Sequence, residues 1–170
     1  MQDYEKCSER VLIRRSRHGD VQAFGILYGR IYKDLYRFAL YTMRHPQDAE
    51  DVVSETIVAA YENLHKLKKE ESFRNWIFTI LMNQCKKHFR QRNRTGELSE
   101  EIAAQETDHA ENCDVRAAFM QLDEKDRMIL AGSVLGGYPS QEIGRMMEMS
   151  PAAVRSRKAR ALEKMRQVIE

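Results

Sequence analysis

Three arginines and one serine lie close together near the end of the chain, at 155–160, on a segment whose residue types and spacing suit contacts with DNA. Ser150 followed by Pro151 predicts a helix start, because serine caps free amides and proline tolerates the first helical position. Helical spacing places Val154 and Ala161 on one side, with small residues and arginines on the other. Arginine can donate two hydrogen bonds to a guanine edge or to phosphate. The residues predicted to contact DNA here are Ser150, Ala152, Ala153, Arg155, Ser156, Arg157 and Arg160.

A second, shorter helix is predicted just before this one. Gly136 and Gly137 end the helix that precedes it, and Ser140 is expected to cap its start. About two residues separate it from the helix opened by Ser150, which predicts a helix-turn-helix. A plain amphipathic terminal helix with a solvated basic face is the alternative for the arginine-bearing segment.

A second basic segment runs from Lys66 to Arg94. It contains nine Lys or Arg residues and only two acidic ones, Glu70 and Glu71. Lys and Arg neutralise phosphates, and exposed aromatic rings stack on unpaired bases. Trp76 is therefore a candidate for stacking, with packing in the core as the favoured alternative. The residues predicted to contact nucleic acid here are Lys66, Lys68, Lys69, Arg74, Trp76, Asn83, Lys86, Lys87 and Arg90.

Carboxylates form a stripe of a single sign on the segment 46–64, which contains no Lys or Arg. Helical projection places Asp48, Asp51, Glu55 and Glu62 within an arc of about 60°, away from the apolar side. A solvated helix face usually mixes charges, so the stripe predicts binding to a partner. Three carboxylates could also suggest a metal site, but no histidine converges on them, and no catalytic or metal-binding cluster is predicted.

Helices are expected to position all of these groups, which makes the fold class all-α. The chain has 170 residues, 42% hydrophobic and 32% charged, with three prolines and a net charge of +2. A first helix is predicted at 8–18, and a second is expected to begin after Asp20 and to bury one stripe of side chains. Those core residues are Phe24, Leu27, Ile31, Leu35 and Phe38.

The segment 95–113 carries six acidic residues and no Lys or Arg, which is typical of a linker. It divides the chain into two small helical domains, 1–94 and 114–170, the second containing the helix-turn-helix. No signal peptide or membrane-spanning stretch is evident, so a cytoplasmic location is expected. Three scattered cysteines suggest neither disulfides nor a metal site, and no cofactor or small-molecule substrate is expected.

The order of these segments resembles a bacterial RNA polymerase sigma factor of the extracytoplasmic function group, within the sigma-70 family. The matching stretches are DAEDVVSET at 48–56, FRNWIFTILMN at 73–83 and EIGRMMEMSPAAVRSRKAR at 142–160. Three positions depart from the family's usual residues: Gly144 and Leu81 stand where alanine is common, and Ala152 stands where glycine is common. At Gly144 the departure is expected to be a simple exchange of one small residue for another.

The resemblance implies that the acidic helix docks on core RNA polymerase through Asp48, Asp51 and Glu55. It implies that the connector and the following basic helix open and read the downstream promoter element. The last helix would read the upstream element, with Ser156 and Arg160 facing bases and Arg155 and Arg157 reaching phosphates. Promoter DNA and an anti-sigma factor are the other partners implied, and no bond chemistry is expected.

Two other classes of protein remain as alternatives. A free-standing helix-turn-helix regulator with an N-terminal sensing or dimerisation domain would account for the C-terminal part, but it leaves the basic segment and the acidic helix unexplained. An enzyme acting on nucleic acid would need a catalytic cluster that the sequence does not show.

Overall fold

The structure, a computed structural model, describes residues 3–95 and 110–169. These residues form α-helices and short 3-10 turns without a strand, as the sequence predicts. The helices are α1 (Glu9–Arg17), α2 (Val21–Met43), α3 (Pro46–Asn63), α4 (Phe73–Thr95), α5 (Ala110–Met120), α6 (Glu124–Val134), α7 (Ser140–Met147) and α8 (Pro151–Ile169).

The first four helices build an N-terminal unit around α2. Asp20 caps α2 by accepting a hydrogen bond from the Ala23 amide at 3.0 Å, as predicted. The predicted stripe of apolar residues on α2 is buried, including Leu35 and Phe38, which are fully inaccessible. Burying one such side chain stabilises the fold by about 1.5–3 kcal/mol. Arg44 ends α2 in a left-handed conformation, and Pro46 starts α3 at its first position.

The connector between α3 and α4, residues 64–72, contains two 3-10 turns, Leu64–Lys66 and Glu70–Ser72. Leu64 and Leu67 are buried. The connector is therefore attached to the core by its apolar residues, while its lysines remain outside.

The last four helices form the C-terminal unit, and two local predictions about it need correction. The helix α5 begins at Ala110, four residues before the predicted start of the C-terminal domain at residue 114. Ser140 is the first residue of α7, not its cap: Pro139 holds the cap position and no side chain caps the helix. The cap predicted at Ser150 is confirmed, with its hydroxyl 3.1 Å from the Ala153 amide, and Asp123 caps α6 in the same way, 2.8 Å from the Asp126 amide.

The turn between α7 and α8 contains three residues, 148–150, where about two were predicted. Glu148 adopts a left-handed conformation, and the Met149 amide donates to the Gly144 carbonyl at 2.9 Å. A Cβ atom at Gly144 would lie 2.6 Å from the Met149 carbonyl oxygen. Gly144 is thus required by this turn, because a backbone atom occupies the space that an alanine methyl would need.

The two units pack on each other, with α6 against α2 and α7 against α4. The Arg127 side chain is 3% exposed and donates to the carbonyl oxygens of Thr42 and Leu122. The rings of Phe78 and Tyr138 meet edge to face at 5.5 Å. Most of the predicted linker, residues 96–109, lies outside the described residues.

Candidate nucleic-acid interface

The helix α8 presents the predicted contact face to the outside. Val154 and Ala161 are buried, and Val154 packs with α7 in the core cluster. Arg155, Ser156 and Arg160 are exposed, as are Ser150 and Ala152, while Ala153 is half-buried. An exposed face of small residues and arginines, at the second helix of a helix-turn-helix, has the form that enters a major groove.

Arg157 differs from its neighbours because carboxylates of the protein hold its guanidinium. Nε donates to Asp126 Oδ1 at 2.9 Å and Nη2 donates to Asp123 Oδ2 at 3.1 Å. Asp126 is buried, with 5% of its surface exposed. Arg157 therefore joins α8 to the start of α6, and its predicted contact with phosphate stays a prediction.

The helix α4 exposes one basic edge, formed by Asn83, Lys87 and Arg90. Trp76 lies half-buried on the same side, with its ring centroid 6.1 Å from that of Phe73. Lys86, predicted together with these residues to contact nucleic acid, is turned toward α7. Its Nζ donates to the Met146 carbonyl at 3.2 Å, and burial lowers its pKa.

A cleft of about 300 Å³ opens between α4 and the C-terminal unit. Its walls combine apolar and basic side chains with one amide and one carboxylate. The lining residues are Lys86, Phe89, Arg90, Asn93, Glu124, Lys125, Met128 and Met147. The cleft therefore belongs to the boundary between the two units, beside the exposed edge of α4.

The connector presents Lys66, Lys68 and Lys69 to solvent. Arg74, in the first turn of α4, is also exposed but has partners: its Nη1 donates to Asp34 at 3.2 Å, and its Nε lies 3.7 Å from Glu9. The connector lysines and the α4 edge are thus two exposed groups of polar and basic residues on the N-terminal unit.

The acidic stripe on α3 is only partly open. Asp48 is paired with Arg92 of α4, and Glu55 lies 3.4 Å from the His88 ring. Asp51 is exposed, with a hydrogen bond of 3.5 Å from Gln47. Asp51 and Glu55 are both exposed, but Asp48 and Glu55 contact side chains of α4, whereas Asp51 contacts a side chain of its own helix.

Three tyrosines on α2, which were not predicted from the sequence, form a row of successive ring contacts. The ring centroids of Tyr28 and Tyr32 are 5.4 Å apart, and those of Tyr32 and Tyr36 are 5.9 Å apart in a stacked arrangement. Their spacing of four residues could have indicated a shared helix face. Asp34 and Phe38, on the other side of α2, contact α4 through Arg74 and Phe78, which leaves the tyrosine side away from α4.

Among residues 3–95 and 110–169, no group of three His, Cys, Asp or Glu side chains could hold a metal ion. Within the same residues, no helix is long and apolar enough to cross a membrane. Cys85 is completely buried, which raises the pKa of its thiol to about 12. That thiol is therefore neutral and shielded from reagents.

Two family models match separate parts of the chain: sigma-70 region 2 matches residues 27–95, and sigma-70 region 4 matches residues 114–165. The ECF RNA polymerase sigma factor SigM of Mycobacterium tuberculosis is 27% identical over 147 residues, covering 84% of this chain and 75% of the relative.

Two solved structures have the same fold. CnrH, solved in complex with the cytosolic domain of CnrY, has a TM-score of 0.70 and 26% identity, covering 95% of this chain and 96% of that one. The sigma factor RpoE of Bartonella quintana, solved with the anti-sigma factor NepR, has a TM-score of 0.75 and 20% identity, covering 84% and 93%. The chain belongs to the sigma-70 family and is a sigma factor of the extracytoplasmic function group, a class of DNA-binding transcription initiation factors.

Proposed function

We propose that this chain binds core RNA polymerase and directs it to promoters through two different sides of its N-terminal unit and through α8. The observation that carries the proposal is the separation of charge. Basic groups are exposed on the connector and on the outer edge of α4, whereas acidic and aromatic groups are exposed on α2 and α3 away from α4. A factor that bridges an enzyme and DNA needs two such surfaces of different chemistry.

The polymerase-binding surface is assigned to the side of the α2–α3 pair that faces away from α4. On α3, Asp48 and Glu55 contact α4, so helical projection directs Glu50, Asp51 and Ser54 outward. On α2, a Cβ atom at Gly29 would meet nothing within 4 Å, which shows that this side is uncovered. Tyrosines surrounded by polar groups are typical of the centre of a protein interface.

The downstream promoter element is assigned to the connector lysines and the α4 edge. Lys66, Lys68 and Lys69 would contact phosphates, and Asn83, Lys87 and Arg90 would hold the separated strand. Because Trp76 is half-buried, part of its ring is available for stacking while the rest packs against the core.

The upstream element is assigned to α8, which would enter the major groove with Ser156 and Arg160 toward the bases. Arg155 would reach the phosphates. A free-standing regulator is not favoured, because the two matched sigma-70 regions together cover both units of the chain.

An anti-sigma protein is the proposed regulatory partner, since two structurally similar proteins were solved with CnrY and with the anti-sigma factor NepR. The chain would act where the bacterial polymerase and chromosome are, in the cytoplasm. It would contribute binding energy to promoter opening and would catalyse no bond change itself.

The polymerase assignment can be tested by single charge reversals measured as affinity for core polymerase. Asp51→Lys should weaken binding at least about tenfold, equal to roughly 1.4 kcal/mol. Tyr32→Ala should weaken it by a similar factor because an aromatic anchor is lost. Glu71→Lys, at an exposed position of the connector and outside the α2–α3 pair, is the control and should change affinity much less.

Helix content by circular dichroism should be equal in all three variants. If Glu71→Lys weakens binding as much as Asp51→Lys, the attraction is diffuse and the assigned surface is wrong. If core polymerase with the unmodified chain initiates at no promoter in a run-off assay, the function itself is wrong.

A further inference from the structure

The helix α1 lies outside the two matched regions, which begin at residue 27, and its outer residues suggest a role. Leu12 and Ile13 are buried and hold α1 on the core. Arg10 and Arg14, one turn apart, both point to the same carboxylate on the connector. Arg10 Nε donates to Glu70 Oε2 at 2.8 Å, and Arg14 Nε donates to Glu70 Oε1 at 3.2 Å.

The connector is held at three points with regular spacing. Leu64 is 2% exposed and Leu67 is 4% exposed, and the Glu70 side chain is 14% exposed. Between these points stand Lys66, Lys68 and Lys69, all exposed. The anchors therefore determine where the lysine side chains start and in which direction they extend.

We infer that α1 is a positioning element for promoter opening: Arg10 and Arg14 hold Glu70 so that the connector lysines meet the downstream element in one register. This inference rests on the proposed function of the connector. Arg10, Glu70 and Arg14 are positioning residues, because they would affect DNA through the connector lysines and would not contact DNA themselves.

The geometry favours positioning over a contribution to global stability. The Arg10 and Arg14 side chains are 64% and 57% exposed, and exposed ion pairs contribute little to the free energy of unfolding. One carboxylate that binds two guanidiniums does, however, restrict the short turn Glu70–Ser72 to one orientation. Small displacements of groups that bind a reacting substrate can lower activity strongly.

A second pair of contacts supports the same role. Glu9, also on α1, lies 3.7 Å from the Arg74 guanidinium in the first turn of α4, and Asp34 of α2 accepts from Arg74 at 3.2 Å. The helix α1 thus contacts both the end of the connector and the start of the helix that carries the basic edge.

The test uses holoenzyme assembled from core polymerase and the full chain, with a promoter library in which the downstream element is randomised. Glu70→Gln is compared with Glu71→Gln, which removes the same charge one position away. Glu71 is a suitable control because its side chain is 71% exposed and its contact to Arg10 is 3.9 Å long. Both variants remove one negative charge from the connector.

The quantity compared is the extent of strand opening at preferred downstream elements divided by the extent at altered ones. Glu70→Gln should reduce this ratio by roughly three- to tenfold. Opening is read by permanganate reactivity of unpaired thymines. Glu71→Gln should keep the ratio, and both variants should keep polymerase affinity and melting temperature. Equal ratios for the two variants would overturn the inference.

A coupling experiment tests whether Arg10, Arg14 and Glu70 act together as one unit, called the clasp below, or whether each acts only through its charge. The double variant Arg10→Gln, Arg14→Gln should reduce the ratio as Glu70→Gln does, and adding Glu70→Gln to it should reduce the ratio no further. Additive losses would contradict a shared clasp. If the unmodified holoenzyme shows no preference within the library, the proposed function of the connector fails, whereas a preference that the variants leave unchanged rejects only the role of α1.

Discussion

The helices α4 and α8 are both rich in Lys and Arg, yet the structure makes very different use of their charges. On α8, Arg155 and Arg160 are exposed on the outer side. On α4, Lys86 binds the Met146 carbonyl and Arg92 binds Asp48. The exposed basic residues of α4 are Arg74, which pairs with Asp34, and Lys87, Arg90 and Arg94.

The difference follows from how the neighbouring helices are arranged around each helix. The helix α4 lies between the α2–α3 pair on one side and α7 on another, so its basic residues meet carboxylates and carbonyls of the protein. The helix α8 ends the described chain and packs on α5, α6 and α7 through one face only. The number of charges on a helix therefore overstates the number that a partner can reach.

The largest expected effect is on stability and concerns the one arginine of the α8 group that the protein itself binds. Arg157→Ala should lower the free energy of unfolding by about 2–3 kcal/mol, because Asp126 would remain buried without its charged partner. Arg155 is an exposed residue of the same helix, and Arg155→Ala should change the free energy of unfolding by no more than about 0.5 kcal/mol. Urea unfolding of the two variants measures the difference.

Equal stability of the two variants would show that Asp126 is satisfied without Arg157, and the contrast between them would disappear. Replacing Asp126 with asparagine in the Arg157→Ala background should restore part of the lost stability, since a neutral side chain needs no charged partner.

The next effect is on DNA binding by the open side of α8. Arg160→Ala should cost about 1–3 kcal/mol at the upstream element and relax the preference at one or two base pairs. Holoenzyme binding over a set of upstream-element variants, at two salt concentrations, measures it. A change in salt dependence alone, with base preference kept, would place Arg160 on phosphate and not in the groove.

The smallest expected effect separates the engaged and the exposed lysine of α4. Lys87→Ala should reduce the salt slope of promoter binding by about one unit without changing the stability of the free chain. Lys86→Ala should instead lower that stability by about 0.5–1.5 kcal/mol, because a hydrogen bond between the two units is lost. The same salt slope for both variants, with no loss of stability for either, would show that the contact to Met146 is not formed in solution.

Short-range features of the fold were predictable from the sequence. The buried stripe on α2 follows from the spacing of its apolar residues, and the caps at Asp20, Asp123 and Ser150 each bind an amide three residues away. The cap at Ser140 was wrong because Pro139 already holds the cap position. The need for Gly144 was also missed, because the obstructing atom belongs to the next turn.

By itself, the sequence determined that the chain is helical, that it has two units, and which segments carry acidic and basic charge. These properties depend on periodicity and on neighbours within about one helical turn. Only the tertiary structure decided which charges stay available. Arg157 meets Asp126 across 31 positions of the chain, Arg10 meets Glu70 across 60, and Arg127 meets Thr42 across 85. Such partners are chosen by the packing of whole helices, and no local pattern specifies them.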